Sequence, residues 1–139
     1  MTNIIKDFWT DRERGACWLP RSTFEPLGVS LKIIDKENIT QFKEGIDQLV
    51  SITREHLVNA LEYTILIPKK EKGIRMFCLW AILIATLTLS KIKNGPEFVQ
   101  RRNVKISRKT VAFVIFFSNL CNGSNFLIRI LFKLTALKI

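Results

Sequence analysis

Histidine is nearly absent from this sequence: His56 is the only one in 139 residues. Cysteine occurs three times, as Cys17, Cys78 and Cys121, an odd number at wide spacing. Together these exclude a disulfide framework and a structural zinc site, both of which need clustered ligands or partners. Three reduced, mostly buried thiols are expected instead. Acidic residues are also scarce, 12 Asp and Glu against 22 Lys and Arg, for a net charge of +10. That surplus points to an anionic partner: a phosphate-bearing ligand, an acidic membrane surface or nucleic acid. Nucleic acid is set aside, because the basic residues are scattered rather than interleaved with aromatics and no reader motif is present.

Long uninterrupted apolar runs are missing too. Residues 76–90 are uncharged but fall short of the ~20 residues that a spanning helix needs. Residues 110–128 are longer, yet Asn119, Asn122, Gly123, Ser124 and Asn125 interrupt them, and backbone opened there would be unsatisfied in lipid. Lys6, Asp7 and Asp11 break up the N-terminus before the apolar core of a signal peptide could form. The expectation is a cytoplasmic protein with buried core helices, its charge leaving peripheral contact with the inner face of a membrane open. Strand-type alternation, internal repeats and low-complexity runs are absent as well.

What is present is helical patterning. Apolar residues make up 47% of the chain, enough for one modest core. Ile39, Phe42, Ile46, Leu49, Val50, Ile52, Leu57 and Leu61 recur at helical spacing, which predicts a helix over 39–67 that stops at Pro68. Asn38 or Thr40 is placed to cap it. A helix over 74–92 is apolar all round, which implies burial on several sides. Asn94-Gly95-Pro96 ends it, and the basic segment Arg101-Arg102-Asn103-Val104-Lys105 follows. Two last helices cover 107–120 and 124–137. The class is all-α.

The chemistry lies at the start. Asn3, Asp7 and Asp11 recur every four residues, so a helix over 1–14 puts all three on one face, with Ile4, Ile5, Phe8 and Trp9 on the packing side. Gly15 ends that helix. Two carboxylates at i and i+4 suit a hard divalent cation such as Mg²⁺, which takes oxygen ligands and is often shared with substrate phosphates. Asn3 adds a carbonyl oxygen one turn earlier. Lys6, together with Arg12 or Arg14, is placed to reach phosphate oxygens. The competing reading is a solvated acidic face. Asp7 and Asp11 are the only acidic residues spaced by four in the sequence.

The flanks sharpen this. Asn3-Ile4-Ile5-Lys6-Asp7-x-x-x-Asp11, then Gly15, then Trp18-Leu19-Pro20 resembles the second aspartate-rich motif of the squalene/phytoene synthase family. Residues 61–68 (LEYTILIP), 73–80 (GIRMFCLW) and 104–108 (VKISR) are similar to its bacterial squalene synthase-like branch and fall in the family's order.

The resemblance implies a partial isoprenoid-synthase helical bundle. It implies a prenyltransferase that condenses two prenyl diphosphates, typically farnesyl diphosphate, head-to-head. Asp7 and Asp11 would be the catalytic metal ligands with Asn3 assisting, Lys6 and Arg14 would bind diphosphate, and Phe77, Cys78 and Ala81 would line a prenyl tunnel. Mg²⁺ is the implied cofactor, and NADPH use stays open. The family also has a first aspartate-rich helix, for which residues 1–139 offer no candidate. The chain is therefore expected to be the C-terminal part of a single domain, inactive alone, with a separate N-terminal half as one implied partner. Ala16 stands where the family often has a diphosphate-contacting Arg. The alternative is a small basic helical protein that associates with membranes and has no catalytic activity.

Overall fold

A computed structural model describes residues 1–102 and 104–137, and among them every regular element is helical. The elements are α1 (Thr2–Lys6), α2 (Phe8–Glu13), α3 (Arg21–Phe24), a 3₁₀ turn (Glu25–Leu27), α4 (Ile39–Leu66), α5 (Lys72–Asn94), α6 (Pro96–Val99), α7 (Arg108–Cys121) and α8 (Asn125–Ala136). Asn103, within the basic segment read from the sequence, lies outside the described residues.

α4 and α5 form the spine, and local chemistry sets their limits. Asn38 occupies the N-cap of α4 but does not cap it with its side chain. Its Oδ1 accepts from the Asp35 amide at 3.1 Å, and its Nδ2 donates to the Ile33 carbonyl at 3.0 Å, so the side chain braces the incoming loop. α4 ends at Leu66 because Ile67, which precedes Pro68, turns to extended geometry at ψ 131°. The buried face of α4 includes Phe42, Ile46, Leu49, Val50 and Leu61, as the spacing requires, whereas Ile52 faces outward.

Two cores share the spine. The first gathers Ile5, Phe8, Trp9, Phe24, Phe42, Leu89 and Phe98 around one half of it. The second packs Leu61, Leu79, Leu83, Val114, Ile128 and Phe132 around the other half. α7 and α8 both begin at capped serines: Ser107 Oγ accepts from the Thr110 amide and Ser124 Oγ from the Leu127 amide. Both helices pack on α5.

Two expectations change. The helix over 1–14 is broken at Asp7, whose φ −91° and ψ 4° lie in the sparsely populated bridge region. A short polar side chain is among the few that tolerate such a break, since Asp competes with the helix backbone for hydrogen bonds. The thiols are not mostly buried: Cys17 is exposed, Cys78 half-buried and only Cys121 buried. Cys17 lies in the loop after α2, where no second layer covers it, while burial pushes the Cys121 thiol pKa upward. α5 is packed on several sides, against α1, α4, α6, α7 and α8, as its all-round apolarity implied, although Ile74 and Phe77 face outward near its start. By length and composition α5 is also able to cross a membrane, although 39% of its most apolar window is buried inside the fold.

Candidate functional site

The site begins with the backbone of residues 3–11. The Asp7 amide donates to the Asn3 carbonyl at 2.8 Å, and the Asp11 amide donates to the Asp7 carbonyl at 2.9 Å. These two bonds keep the four-residue spacing through the break between α1 and α2. Asn3, Asp7 and Asp11 therefore stay stacked along one side of the segment. The other side is anchored. Ile5 and Phe8 are buried, and the Trp9 indole donates Nε1–H to the Phe98 carbonyl at 2.7 Å. Phe8 and Trp9 also pack on Phe42 with ring centroids 5.3 and 5.6 Å away. The guanidinium groups of Arg101 and Arg12 lie 5.1 and 5.8 Å from the Trp9 ring, within cation–π reach.

Gly15 ends α2 in the left-handed conformation, at φ 77°. Its amide donates to the Arg12 carbonyl at 3.0 Å, and the Ala16 amide reaches back to the Asp11 carbonyl at 2.9 Å. This paired closure is a Schellman motif. The residue that carries the second carboxylate thus has both its amide and its carbonyl fixed.

The carboxylates differ in their partners. Asp7 Oδ2 lies 3.4 Å from Lys6 Nζ, with both side chains partly exposed. Asp11 forms no ion pair among the described residues. Among those residues no cluster of three or more His, Cys, Asp or Glu side chains is present. The oxygen-only donor set of Asn3, Asp7 and Asp11 fits Mg²⁺ as part of a shell that water and phosphate complete, and not as a full cage.

The turn after this segment borders a cavity of about 830 Å³, lined by Arg12, Arg21 and Lys32 with Glu25 as the single acid; Asn3, Asp7 and Asp11 do not line it. Ala16 and Cys17 form part of the same wall. Arg12 is tied down there by Nη2 donation to the Lys32 carbonyl at 2.5 Å. Three cations against one carboxylate make the cleft a place for an anion. Arg14 is exposed and lies outside it. Lys6 is engaged with Asp7. Arg21 and Lys32 were therefore missed by sequence reasoning, which looked only within one turn of the aspartates. The available signal was the spacing of basic residues beyond Gly15, but only the α3 fold-back brings them together.

Phe77, Cys78 and Ala81 share the outward face of α5, where Phe77 is 71% exposed. They belong to the half of α5 away from the acidic segment, which packs near Leu89 and Ile92. At 1.5 Å per residue, Phe77 and Leu89 are roughly 18 Å apart along the helix. The two sets of residues are thus separate within this chain.

A model of the squalene/phytoene synthase family matches residues 1–110. The matched region takes in the acidic segment, the basic cleft and the α4–α5 spine, and residues 111–139 fall outside it. No curated protein and no solved structure gives a significant match.

Proposed function

Since the chain belongs to the squalene/phytoene synthase family, we propose that it supplies the second acidic helix and a phosphate-binding cleft for head-to-head condensation of two prenyl diphosphates. In that reaction one substrate loses its diphosphate, and the allylic carbon left behind joins the other substrate, which gives up a proton. The observation that carries this reading is the Asn3–Asp7–Asp11 ladder, followed directly in the chain by Arg12, which lines a cavity together with Arg21 and Lys32.

Asp7 and Asp11 would hold the cation with Asn3 as a neutral oxygen donor. Mg²⁺, when bound, supplies positive charge that offsets the charge building on the departing diphosphate. Arg12, Arg21 and Lys32 would bind and orient phosphate oxygens through charge-assisted hydrogen bonds, in a cleft where Ala16 supplies none. Trp9 and Gly15 hold the segment in place from behind. The outward stripe of Phe77, Cys78 and Ala81 would form one wall of an apolar channel once a facing wall covers it. Excluding water there protects the allylic cation.

On this reading a separate polypeptide would supply the opposing carboxylate pair, which fits the finding that no other acidic residues in this sequence stand four apart. The test is turnover of labelled farnesyl diphosphate with Mg²⁺, using this chain together with a polypeptide that carries a first aspartate-rich helix. A C30 product that disappears with Asp7→Ala or Asp11→Ala supports the proposal. No product from any such pairing, or product indifferent to both substitutions, refutes it.

A further inference from the structure

The hairpin of α7 and α8 is apolar on two sides. Its inward faces, Val114, Ser118 and Cys121 on α7 and Ile128, Leu131 and Phe132 on α8, are buried. A soluble helix would turn polar residues outward. Here the outward arcs instead carry Phe113, Phe116 and Leu120 on α7, and Phe126, Ile130 and Leu134 on α8, all exposed. Phe116 is 64% exposed and Phe126 71%. Spacings of three and four residues align each set into a continuous stripe. Both helices pack against α5 through their other sides, so the stripes face away from the spine.

The charge around these stripes is predominantly basic. No Asp or Glu follows Glu97, whereas eight Lys and Arg do. Arg129 is paired with Glu62 of α4, while Lys133 stands on the flank of the α8 stripe. The α7–α8 turn also abuts a basic connection. Asn122 Nδ2 donates to the Lys72 carbonyl at 3.2 Å, which brings exposed Lys69, Lys70 and Lys72, with one exposed acid, Glu71, among them, next to the end where Leu120 and Phe126 project. Apolar stripes with a basic rim are complementary to a bilayer surface bearing anionic headgroups: the stripes enter the headgroup–acyl boundary and the lysines meet the phosphates. A protein partner would match the stripes but leave the basic excess unexplained.

We infer that the α7–α8 hairpin docks the protein peripherally on an anionic membrane. The region lies beyond the family match and at the end of the spine away from the acidic segment, so this inference does not depend on the proposed chemistry.

The test is flotation of the full chain with vesicles of phosphatidylcholine alone and of phosphatidylcholine with phosphatidylglycerol. Binding to the anionic vesicles is expected, with little to the neutral ones. The exposed substitutions Phe116→Glu and Phe126→Glu together should reduce partitioning by at least roughly tenfold. Should that pair unfold the protein by circular dichroism, Lys69→Glu with Lys70→Glu in the exposed turn should give the same direction of loss. Asp7→Ala should leave vesicle binding unchanged. Absence of binding, or binding that survives both pairs of substitutions, overturns the inference. So does a stable dimer that Phe116→Glu converts to monomer. Retention in membranes after alkaline carbonate extraction would also overturn it, since it indicates a spanning segment.

Discussion

The Asp11 amide donates to the Asp7 carbonyl at 2.9 Å, so the two carboxylates stay one helical turn apart across a break in the helix. Two like charges at that spacing repel, and Asp7 and Asp11 are the only acidic residues spaced by four in residues 1–139. Mg²⁺ gives up its water reluctantly. By itself the chain is therefore expected to bind Mg²⁺–diphosphate no tighter than about 1 mM. Isothermal titration calorimetry measures this directly. Tight binding that Asp7→Ala abolishes would show the site to be sufficient without an opposing pair.

The cleft separates Arg21 and Lys32, which line it, from Arg14, which does not. In an assembled, active enzyme, Arg21→Glu is expected to raise KM for the prenyl diphosphate about tenfold, by replacing an attraction to phosphate with a repulsion. Arg14→Ala should change KM less than about twofold. Arg21 is exposed, so its loss should alter unfolding free energy by no more than about 0.5 kcal/mol. Equal effects at positions 14 and 21 would remove the cleft from the substrate site.

Much of the fold was legible because its signals are local. Pro68 and Gly95-Pro96 punctuate the long helices, and the spacing of Phe42, Ile46 and Leu49 marks the buried face of α4. The all-α class followed from the same short-range patterns, and the family from the resemblance carried by residues 3–20 and the blocks at 61–68, 73–80 and 104–108. Long-range relationships were not legible. Trp9 bonds to the carbonyl of Phe98, 89 residues away, and no periodicity encodes that pairing. Arg21 and Lys32 converge because the chain folds back through α3, which is too short to leave a strong pattern. The all-round apolarity of α5 did imply its packing on several sides, but not that Ile74 and Phe77 would be the residues left facing outward.

Gly45 tests the tight seam between α4 and the aromatic core. Helix propensity alone would make Gly45→Ala stabilising by about 1 kcal/mol. A Cβ there, however, would lie 2.4 Å from the Phe24 ring, which is fully buried and stacked on Phe42 with centroids 5.6 Å apart. Overpacking should outweigh propensity, for a net loss of about 1–2 kcal/mol in urea unfolding. Combining Gly45→Ala with Phe24→Leu should cost less than the sum of the two single changes, because each relieves the other. A stabilised Gly45→Ala protein would show the seam to be loose.

Arg75 is fully buried, and its guanidinium bonds to no carboxylate among the described residues. Its donors go to oxygens of two elements instead. Nη1 reaches the carbonyls of Thr64, Ile65 and Ile67 at 3.2, 3.2 and 2.6 Å, at the C-terminal end of α4 where a partial negative charge collects. Nε donates to Asn122 Oδ1 at 3.3 Å and Nη2 to Asn125 Oδ1 at 2.8 Å, which ties the α7–α8 turn to the spine. Arg75→Met would leave these acceptors buried without a donor, so a loss of roughly 3–5 kcal/mol is expected. Arg75→Lys should recover less than half of it, since three donors on a point charge cannot span both helices. Because the contacts lie in the distal core, amide exchange should rise over 108–136 well before it rises over 2–13. An Arg75→Met protein within about 1 kcal/mol of the parent would mean that water replaces the guanidinium, and the hairpin would then be held by apolar packing alone.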